Sequence, residues 1–308
     1  MLNLILWFIK NSEGITIFDK CILFFLKIIY LGLRILLRLA LGKKRRDRFY
    51  VKRGLDFGVF WYKTFKFLKS GNSTLLKFKV PKYDYEFYCR INKDDFKIMT
   101  IHEDDIITRF TPKKGDIVVD IGAHIGLYTI IGAKRVGEQG KVVAIEADPE
   151  NFEMLNRNIK LNQLTNVIPL NYAVYSKETK IKLYVPGEES GYTIYNTIIS
   201  DRARNEEKFV EVNANTLDYI LQSRGIREEQ VNWIKIDVEG AEFEALRGAT
   251  NVLSKSKDIA LLIEVHNISG NTILYRPIVE FLNLYNFKIV FEKSHDGGEK
   301  HIIVRKQL

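Results

Sequence analysis

A short glycine-containing segment follows an apolar run and could bind a nucleotide. The run Ile117-Val118-Val119 ends in Asp120-Ile-Gly-Ala-His-Ile-Gly126, and a second apolar run, residues 142–145, ends in Glu146. Glycine has no Cβ, so it permits a tight turn and a close approach of the backbone to a ligand. A carboxylate at the end of the next strand can accept hydrogen bonds from ribose hydroxyls. The pattern therefore predicts a site for a ligand that contains adenosine.

The spacing of the glycines distinguishes between adenosine ligands. Dinucleotide sites use G-x-G-x-x-G around a pyrophosphate, whereas this segment has only Gly122 and Gly126, with Asp120 ahead of them. A carboxylate in that position repels phosphates and suits a cationic ligand, and S-adenosylmethionine carries both an amino group and a sulfonium. An ordinary strand-turn-helix connection would give the same short pattern. The position of Glu146 favours the binding site.

A second set of charged residues lies near the ends of predicted strands and could act on an acceptor. Lys235 and Asp237 are two residues apart and share one face of a strand, and ligands of such sheets bind beyond the carboxyl ends of the strands. Methyl transfer from a sulfonium is an in-line displacement that needs positioning and, for a hydroxyl acceptor, benefits from a base. We predict Asp237 as the base or orienting group, with Glu239 and His266 next. Lys235 is predicted to lower the pKa of a carboxylate or to stabilise an oxyanion.

Purely structural roles stay open for the same residues. Lys235 and Asp237 could form a structural ion pair, Glu242 could only favour the start of a helix, and His266 could be an ordinary polar residue. The carboxylates Asp237, Glu239 and Glu264 could bind a divalent ion. No supporting set of residues around them is evident in the sequence, so no metal site is predicted.

The elements that must position these residues alternate in type after residue 110. Strands are predicted at 117–121, 142–146, 167–174, 233–238 and 259–265, and helices at 127–136, 149–161, 217–224, 242–253 and 277–286. This alternation specifies a mostly parallel sheet with helices on both faces. Two last strands, 288–292 and 301–306, have a glycine-containing turn between them and are predicted to pair as an antiparallel hairpin.

Composition separates the start of the chain from the rest. Residues 1–79 contain 17 lysines and arginines against 4 acidic residues, whereas the remainder contains 30 against 34. Because the catalytic part is mildly acidic, nucleic acid is disfavoured as a partner. We expect an apolar and basic helical segment at 1–48, a cap or small β extension at 49–109 with a hairpin of strands 75–80 and 83–91, and an α/β domain at 110–308.

The segment 1–48 has the pattern of a helix that lies on a membrane. Its apolar runs are shorter than a spanning helix needs. At 100° per residue, Lys20, Lys27, Arg34 and Arg38 fall on one stripe opposite apolar side chains, and the basic run at 43–48 adds attraction to anionic lipid. We predict attachment to the cytoplasmic face of a membrane. The alternative is a helix that packs on the protein itself or on a second subunit, with the protein then cytoplasmic.

Residues 103–306 resemble the FkbM family of S-adenosylmethionine-dependent methyltransferases. The matching stretches are Val118-Val-Asp-Ile-Gly-Ala-His-Ile-Gly-Leu-Tyr128, Ala144-Ile-Glu-Ala-Asp-Pro149, Asn171-Tyr-Ala-Val-Tyr-Ser176, Ile234-Lys-Ile-Asp-Val-Glu-Gly-Ala-Glu242 and Leu262-Ile-Glu-Val-His266. The fourth stretch is the most particular to that family. The resemblance implies an α/β fold of the class I methyltransferase (Rossmann-like) type, with a mostly parallel seven-stranded sheet that ends in an antiparallel hairpin.

The resemblance also implies which residues hold the cofactor, S-adenosylmethionine. Asp120 and the glycine loop would hold its methionine part, Glu146 its ribose, and the backbone near Ala173 its adenine. The implied residues are Asp120, Gly122, Ala123, His124, Gly126, Tyr128, Glu146 and Ala173. The family usually has an asparagine where this chain has His124.

The family is mostly associated with O-methylation, so the resemblance implies methyl transfer to a hydroxyl of a small molecule, a glycan or a lipid-linked acceptor. Two other functions stay open: a membrane-tethered module that binds the cofactor without turnover, and an NAD-dependent sugar-modifying enzyme, which the missing third glycine disfavours. The polar stretch before Asn215, which contains Tyr192, Tyr195 and Asn196, is where an acceptor site is expected.

Overall fold

A computed structural model of the protein describes residues 75–80, 85–90, 95, 104–185, 208–268, 272–295 and 298–307. The chain divides into two compact units, residues 1–102 and 103–308. The segment 1–48 and the residues Tyr192, Tyr195 and Asn196 lie outside the described residues. Within the described part of the chain, no helix is both long enough and apolar enough to cross a membrane.

The described residues of the first unit form a β-hairpin. Strand β1 (Leu75–Val80) pairs in antiparallel register with β2 (Tyr85–Arg90), in agreement with the hairpin expected there. Tyr85, Phe87 and Cys89 alternate along β2 and are all buried, which is the pattern of a strand with one covered face.

The second unit alternates between helices and strands. In chain order its elements are α1 (Asp104–Ile107), β3 (Ile117–Ile121), α2 (Leu127–Val136), β4 (Lys141–Ile145), α3 (Pro149–Leu161), β5 (Val167–Leu170), β6 (Ala173–Val174), β7 (Thr179–Val185), β8 (Lys208–Asn215), α4 (Leu217–Gln222), β9 (Val231–Ile236), α5 (Glu242–Arg247), α6 (Thr250–Lys255), β10 (Ala260–Val265), β11 (Asn267–Ile268), β12 (Thr272–Ile273), α7 (Tyr275–Asn283), β13 (Phe287–Ser294) and β14 (Lys300–Lys306).

Seven of these strands form one sheet in the order β13-β14-β10-β9-β3-β4-β5. The strands β10, β9, β3, β4 and β5 pair in parallel, and β14 is antiparallel to both of its neighbours. The predicted class I methyltransferase sheet and its terminal hairpin are thus confirmed. The order of the strands reverses between β3 and β9, and in open α/β sheets ligands bind beyond the carboxyl ends of the strands at such a switch point.

Both faces of this sheet are covered. Val119 and Ile121 of β3 point into one large buried cluster with residues of α4, α5, α6 and α7. Ala144 of β4 lies in a separate cluster with Leu155 and Ile159 of α3. Successive strand residues face opposite sides, so apolar residues on both faces fix the register and hold the carboxyl ends of the strands in place.

Three predicted elements differ from the structure. The strand predicted at 167–174 is two strands, β5 and β6, which belong to different sheets. Between them the side-chain amide of Asn171 donates to the backbone carbonyls of Glu146 (2.8 Å) and Ala147 (3.0 Å). The helix predicted at 242–253 is two helices, α5 and α6. The polar stretch before Asn215 contains β7 and β8, which form a small sheet with β6.

Candidate active site

The glycine loop between β3 and α2 is held by backbone geometry that few residues adopt. Gly122 and Gly126 have φ of 76° and 103°, and a Cβ on Gly122 would lie 1.9 Å from the carbonyl oxygen of Asp237. Gly122 thus serves the predicted turn, and it also allows the end of β9 to approach the loop closely. His124 has a φ of 51°. Histidine and asparagine are both enriched in this left-handed region, so His124 suits the position where the family usually has asparagine.

Glu146, the first residue after β4, joins the loop to the next strand end. Its Oε2 accepts the backbone N–H of His124 at 2.7 Å, and its Oε1 accepts that of Asp148 at 2.9 Å. Burial raises the pKa of Glu146 to about 7, because desolvation of the carboxylate outweighs these two hydrogen bonds. Each carboxylate oxygen retains a further lone pair, so the group can also accept hydrogen bonds from ligand hydroxyls.

Asp120 lies at the centre of the sheet and is 1% exposed. Its Oδ2 accepts a hydrogen bond of 2.6 Å from the Thr129 hydroxyl of α2. Its Oδ1 accepts no hydrogen bond from the described residues and lies 4.0 Å from Lys235 Nζ. Burial raises the pKa of Asp120, and Lys235 opposes this shift. A buried carboxylate oxygen without a hydrogen-bond donor fits a ligand that carries an ammonium group.

Lys235 contacts both the cofactor half of the site, which is Asp120 and the glycine loop, and the acceptor half, which is Asp237. In the parallel register it lies directly beside Asp120, and its Nζ donates to the Gly122 carbonyl at 3.3 Å and to Asp237 Oδ2 at 3.0 Å. The ammonium also lies 5.2 Å from the centroid of the Tyr128 ring. The predicted ion pair with Asp237 is therefore present, and Lys235 positions the glycine loop as well as the carboxylate.

Asp237 follows β9 and is the most accessible member of the predicted catalytic set, with a side chain 29% exposed. Burial by itself would raise the pKa of Asp237, but Lys235 and His266 together hold it below its ordinary value. The carboxylate is therefore anionic at neutral pH. It is well placed to accept a hydrogen bond from an acceptor and is a weak base.

His266 follows β10 and is surrounded by carboxylates. Its Nδ1 lies 2.8 Å from Glu242 Oε1, and its Nε2 lies 3.4 Å from Glu239 Oε2 and 3.9 Å from both Asp237 Oδ1 and Glu264 Oε1. Burial disfavours the imidazolium, but the carboxylates outweigh it and raise the pKa of His266 well above its ordinary value. A histidine that is protonated at neutral pH has no lone pair for use as a base, so this geometry favours a positioning role.

Glu239 is one of the carboxylates around His266 and lies in the turn after β9. It has a φ of 53°, and the next residue, Gly240, has a φ of 101°. A left-handed conformation is uncommon and unfavourable for glutamate, and such backbone is concentrated at functional sites. The turn directs the Glu239 carboxylate toward His266.

The other predicted cofactor residues have supporting contacts. Ala123 is buried in the cluster with Leu155, and Tyr128 stacks edge to face on Phe110, with ring centroids 5.5 Å apart. Ala173 belongs to the small sheet, where it packs with Leu183 and Val212. The structure therefore brings the glycine loop, Glu146 and Tyr128 around the ends of β3 and β4, whereas the side chain of Ala173 faces a separate apolar cluster. A backbone contact from Ala173 to adenine stays a prediction.

Several site residues were not predicted from the sequence. Thr129 binds Asp120, and its only signal is its position in the first turn of the helix after the loop. Glu242 is the first residue of α5, as expected, and it is also fully buried and accepts hydrogen bonds from the Gly240 N–H at 2.9 Å and from His266. His301 of β14 lies 3.4 Å from Glu264 and 2.8 Å from His295, and burial lowers its pKa to about 4.

Comparison with known proteins identifies the family. The family model described as the methyltransferase FkbM domain matches residues 120–289, more than half of the chain. The chain is 30% identical over 156 residues to methyltransferase sdnD of Sordaria araneosa, a match that covers 42% of this chain and 59% of that protein. It thus spans less than two thirds of the length of this relative.

The chain is also similar to a second named methyltransferase and to a solved structure. The hexuronic acid methyltransferase AglP of Haloferax volcanii is 27% identical over 191 residues, which cover 61% of this chain and 73% of that protein. The solved structure of methyltransferase FkbM from Methylobacillus flagellatus KT has a TM-score of 0.42 and 16% identity, and the match covers 70% of this chain and 54% of that one.

The residues present fit S-adenosylmethionine. The Oδ1 atom of Asp120 accepts no hydrogen bond from the described residues, and Glu146 has acceptor capacity left for hydroxyls at the neighbouring strand end. The cofactor carries an ammonium group, which can donate to Asp120, and ribose hydroxyls, which can donate to Glu146. With its class I sheet, its glycine loop and the match over residues 120–289, the chain belongs to the FkbM family of methyltransferases and takes S-adenosylmethionine as its cofactor.

Proposed function

We propose that this protein transfers a methyl group to a hydroxyl of a glycan, a lipid-linked molecule or another small molecule. The observation that carries the proposal is the position of Asp237. Its partly exposed carboxylate lies next to the cofactor loop, because Lys235 binds both Asp237 and the Gly122 carbonyl. An acceptor that donates a hydrogen bond to Asp237 is thereby brought to the edge of the cofactor site.

The cofactor supplies a methyl group on a positively charged sulfur. An acceptor hydroxyl would take this methyl group, and Asp237 or water would accept the hydroxyl proton. Asp237 aligns the hydroxyl through its hydrogen bond, and this alignment supplies much of the acceleration in a displacement of this kind. Lys235 keeps Asp237 anionic and in place.

The charge of the site favours a neutral acceptor group. Asp237, Glu239 and Glu264 all lie around His266, so an acceptor carboxylate would meet like charges at short range. A hydroxyl has no such penalty and can donate to a carboxylate. The name of one relative, a hexuronic acid methyltransferase, supports a sugar as the acceptor molecule.

The test is methyl transfer to extracts of cells that lack the protein. The full chain is incubated with S-adenosylmethionine labelled in its methyl group and with separated lipid and glycan fractions. We expect label in one fraction, in a form stable to alkali, as a methyl ether is. Asp237→Asn is expected to reduce transfer at least tenfold, within the range of acid–base and positioning effects, while cofactor binding persists.

Three results would contradict the proposal. Alkali-labile label would indicate a methyl ester and hence a carboxylate acceptor. Cofactor binding with no transfer to any fraction would indicate a module without turnover. Undiminished transfer by Asp237→Asn would remove Asp237 from the mechanism.

We also propose that residues 1–48 attach the protein to a membrane surface. The support is the stripe of Lys20, Lys27, Arg34 and Arg38 opposite apolar residues, followed by a basic run. Such attachment would place the methyltransferase domain near lipid-linked acceptors.

A further inference from the structure

The imidazole of His266 is surrounded by carboxylates. Nε2 faces Glu239 Oε2 at 3.4 Å, Asp237 Oδ1 at 3.9 Å and Glu264 Oε1 at 3.9 Å. All three distances exceed the 2.7–3.2 Å of a normal N–H···O hydrogen bond, although the side chain of His266 is only 2% exposed. Nε2 of this buried side chain thus points toward three carboxylate oxygens without normal hydrogen-bond contact.

The opposite edge of the ring is fixed by a carboxylate that is outside this group. Glu242 is fully buried, and its Oε1 lies 2.8 Å from Nδ1. A carboxylate that accepts from one ring nitrogen orients the ring, and this arrangement is the usual support of a metal-binding histidine. A cation that binds Nε2 replaces the proton held there and releases it to solvent. This support has no local signal in the sequence, because Glu242 and His266 are 24 residues apart.

The spacing of the donor atoms matches the coordination sphere of a cation. The ligand atoms of Asp237, Glu239 and His266 all lie within 4.8 Å of one another. Bonds of about 2.1 Å in an octahedron place neighbouring donors about 3 Å apart and opposite donors about 4.2 Å apart. The Nε2 distances lie in this range, so small side-chain movements would complete a site.

We propose that Asp237, Glu239 and His266 bind a divalent cation, with Glu264 as an additional oxygen ligand. Carboxylates suit magnesium, calcium and manganese, whereas imidazole suits the transition metals. Mn²⁺ satisfies both kinds of donor. The site stays accessible through Asp237, whose side chain is 29% exposed.

The cation would complement the charge of this group. Five carboxylates lie in this region, those of Asp120, Asp237, Glu239, Glu242 and Glu264. Lys235 contacts two of them, and His266, when protonated, contacts four. If the acceptor binds at Asp237, as proposed above, the ion also presents a Lewis acid to its hydroxyl. Only this last role depends on the proposed function, because metal binding can be measured without an acceptor.

The experiment titrates the full chain with Mn²⁺ alone and follows the free ion by electron paramagnetic resonance. We expect one ion per chain with micromolar affinity and a pulsed-resonance signal from a directly bound nitrogen. Glu239→Gln removes one ligand charge at similar volume and should weaken binding at least tenfold. The matched control is Glu244→Gln, which makes the same change of charge on α5 at a residue paired with Arg247, and it should bind as the parent does.

His266→Ala tests the nitrogen ligand directly and should abolish the nitrogen signal. Titration of each variant with S-adenosylmethionine shows that it is folded, and it separates failure of the metal site from failure of the cofactor site. Should His266→Ala not fold, the nitrogen signal of the parent and the comparison of Glu239→Gln with Glu244→Gln decide the question. The proposal is overturned by affinity no tighter than millimolar, by equal affinity of those two variants, or by Mn²⁺ bound through oxygen alone.

Discussion

At the scale of single residues, Glu146 is the carboxylate whose environment has the clearest consequence for stability. Its pKa is raised from an ordinary value of 4.5 to about 7. Between these values the native state keeps a proton that the unfolded state has lost, so the stability of the protein falls as the pH rises from 4.5 to 7. The group contributes no pH dependence below this range, because both states are then protonated.

We expect Glu146→Gln to remove this pH dependence. The free energy of unfolding of the variant minus that of the parent should increase by up to about 3 kcal/mol between pH 4.5 and pH 8, at 1.36 kcal/mol per pKa unit. Urea denaturation of both proteins across this range measures the difference. A difference that stays constant with pH would show that Glu146 is ionised as readily in the folded chain as in the unfolded one.

Lys235 is expected to couple the cofactor half of the site to the acceptor half. Lys235→Met removes the cation beside the partly exposed Asp237 and the buried Asp120. It should cost up to about 3–5 kcal/mol, because it leaves the buried carboxylate without a compensating charge. Asp237→Asn should cost less in the Met background than in the parent, with a coupling energy of about 1–3 kcal/mol. Denaturation of the two single variants and the double variant gives this energy. Strictly additive costs would mean that the 3.0 Å contact does not stabilise the protein.

Contacts of the site between near neighbours in the sequence can be predicted, whereas contacts between separate elements cannot. Lys235 is in β9 and Asp237 is the first residue after it, two positions along, so their pairing follows from the strand period. Glu242 and His266 belong to different elements, and their hydrogen bond depends on where the turn after β9 directs α5. A single sequence contains no local signal for that contact, and the same holds for Glu264 and His301.

At the scale of elements, the turn after β3 depends on the end of β9. A side chain on Gly122 would collide with the carbonyl oxygen of Asp237 at 1.9 Å, whereas one on Gly225 would meet nothing within 4 Å. Both glycines have positive φ, 76° and 70°. The pair therefore separates the cost of backbone conformation from the cost of close packing.

Gly122→Ala should be far more destabilising than Gly225→Ala. The left-handed backbone costs about 1–2 kcal/mol in either variant, and the collision at Gly122 should add about 1–3 kcal/mol. Urea denaturation gives both costs. Equal losses of stability would mean that the ends of β3 and β9 are free to move apart.

The boundaries of elements were predicted well where the apolar pattern is local and poorly where tertiary contacts decide. The strand at 117–121 and the helices at 127–136 and 149–161 agree with the structure. The break between α5 and α6 falls at Gly248, where a Cβ would lie 2.1 Å from the Tyr175 carbonyl. The apolar spacing continues across this break, so the sequence pattern predicted one helix.

At the scale of the whole molecule, the mildly acidic catalytic part and the basic start of the chain predict different partners. Deletion of residues 1–48 is expected to move the protein from the membrane fraction to the soluble fraction, because it removes both the apolar face and the basic run. Sedimentation of parent and truncated protein from the same cells measures this. Cofactor titration of the truncated protein serves as the control for folding.

The contribution of charge to membrane attachment can be measured separately. Replacement of the basic residues within 43–48 by glutamine should weaken binding to vesicles that contain anionic lipid by about 1 kcal/mol per residue, and added salt should reduce the difference. Unchanged sedimentation of the truncated protein would contradict membrane attachment and favour a helix that packs on protein.

The position of the cofactor is tested most directly by a crystal structure of the full chain with S-adenosylhomocysteine. We expect the ribose hydroxyls within hydrogen-bond distance of Glu146 and the amino group of the ligand near Asp120 and the loop from Gly122 to Gly126. A ligand bound elsewhere, or bound with its ribose away from Glu146, would contradict the assignment of the site to the carboxyl ends of β3 and β4.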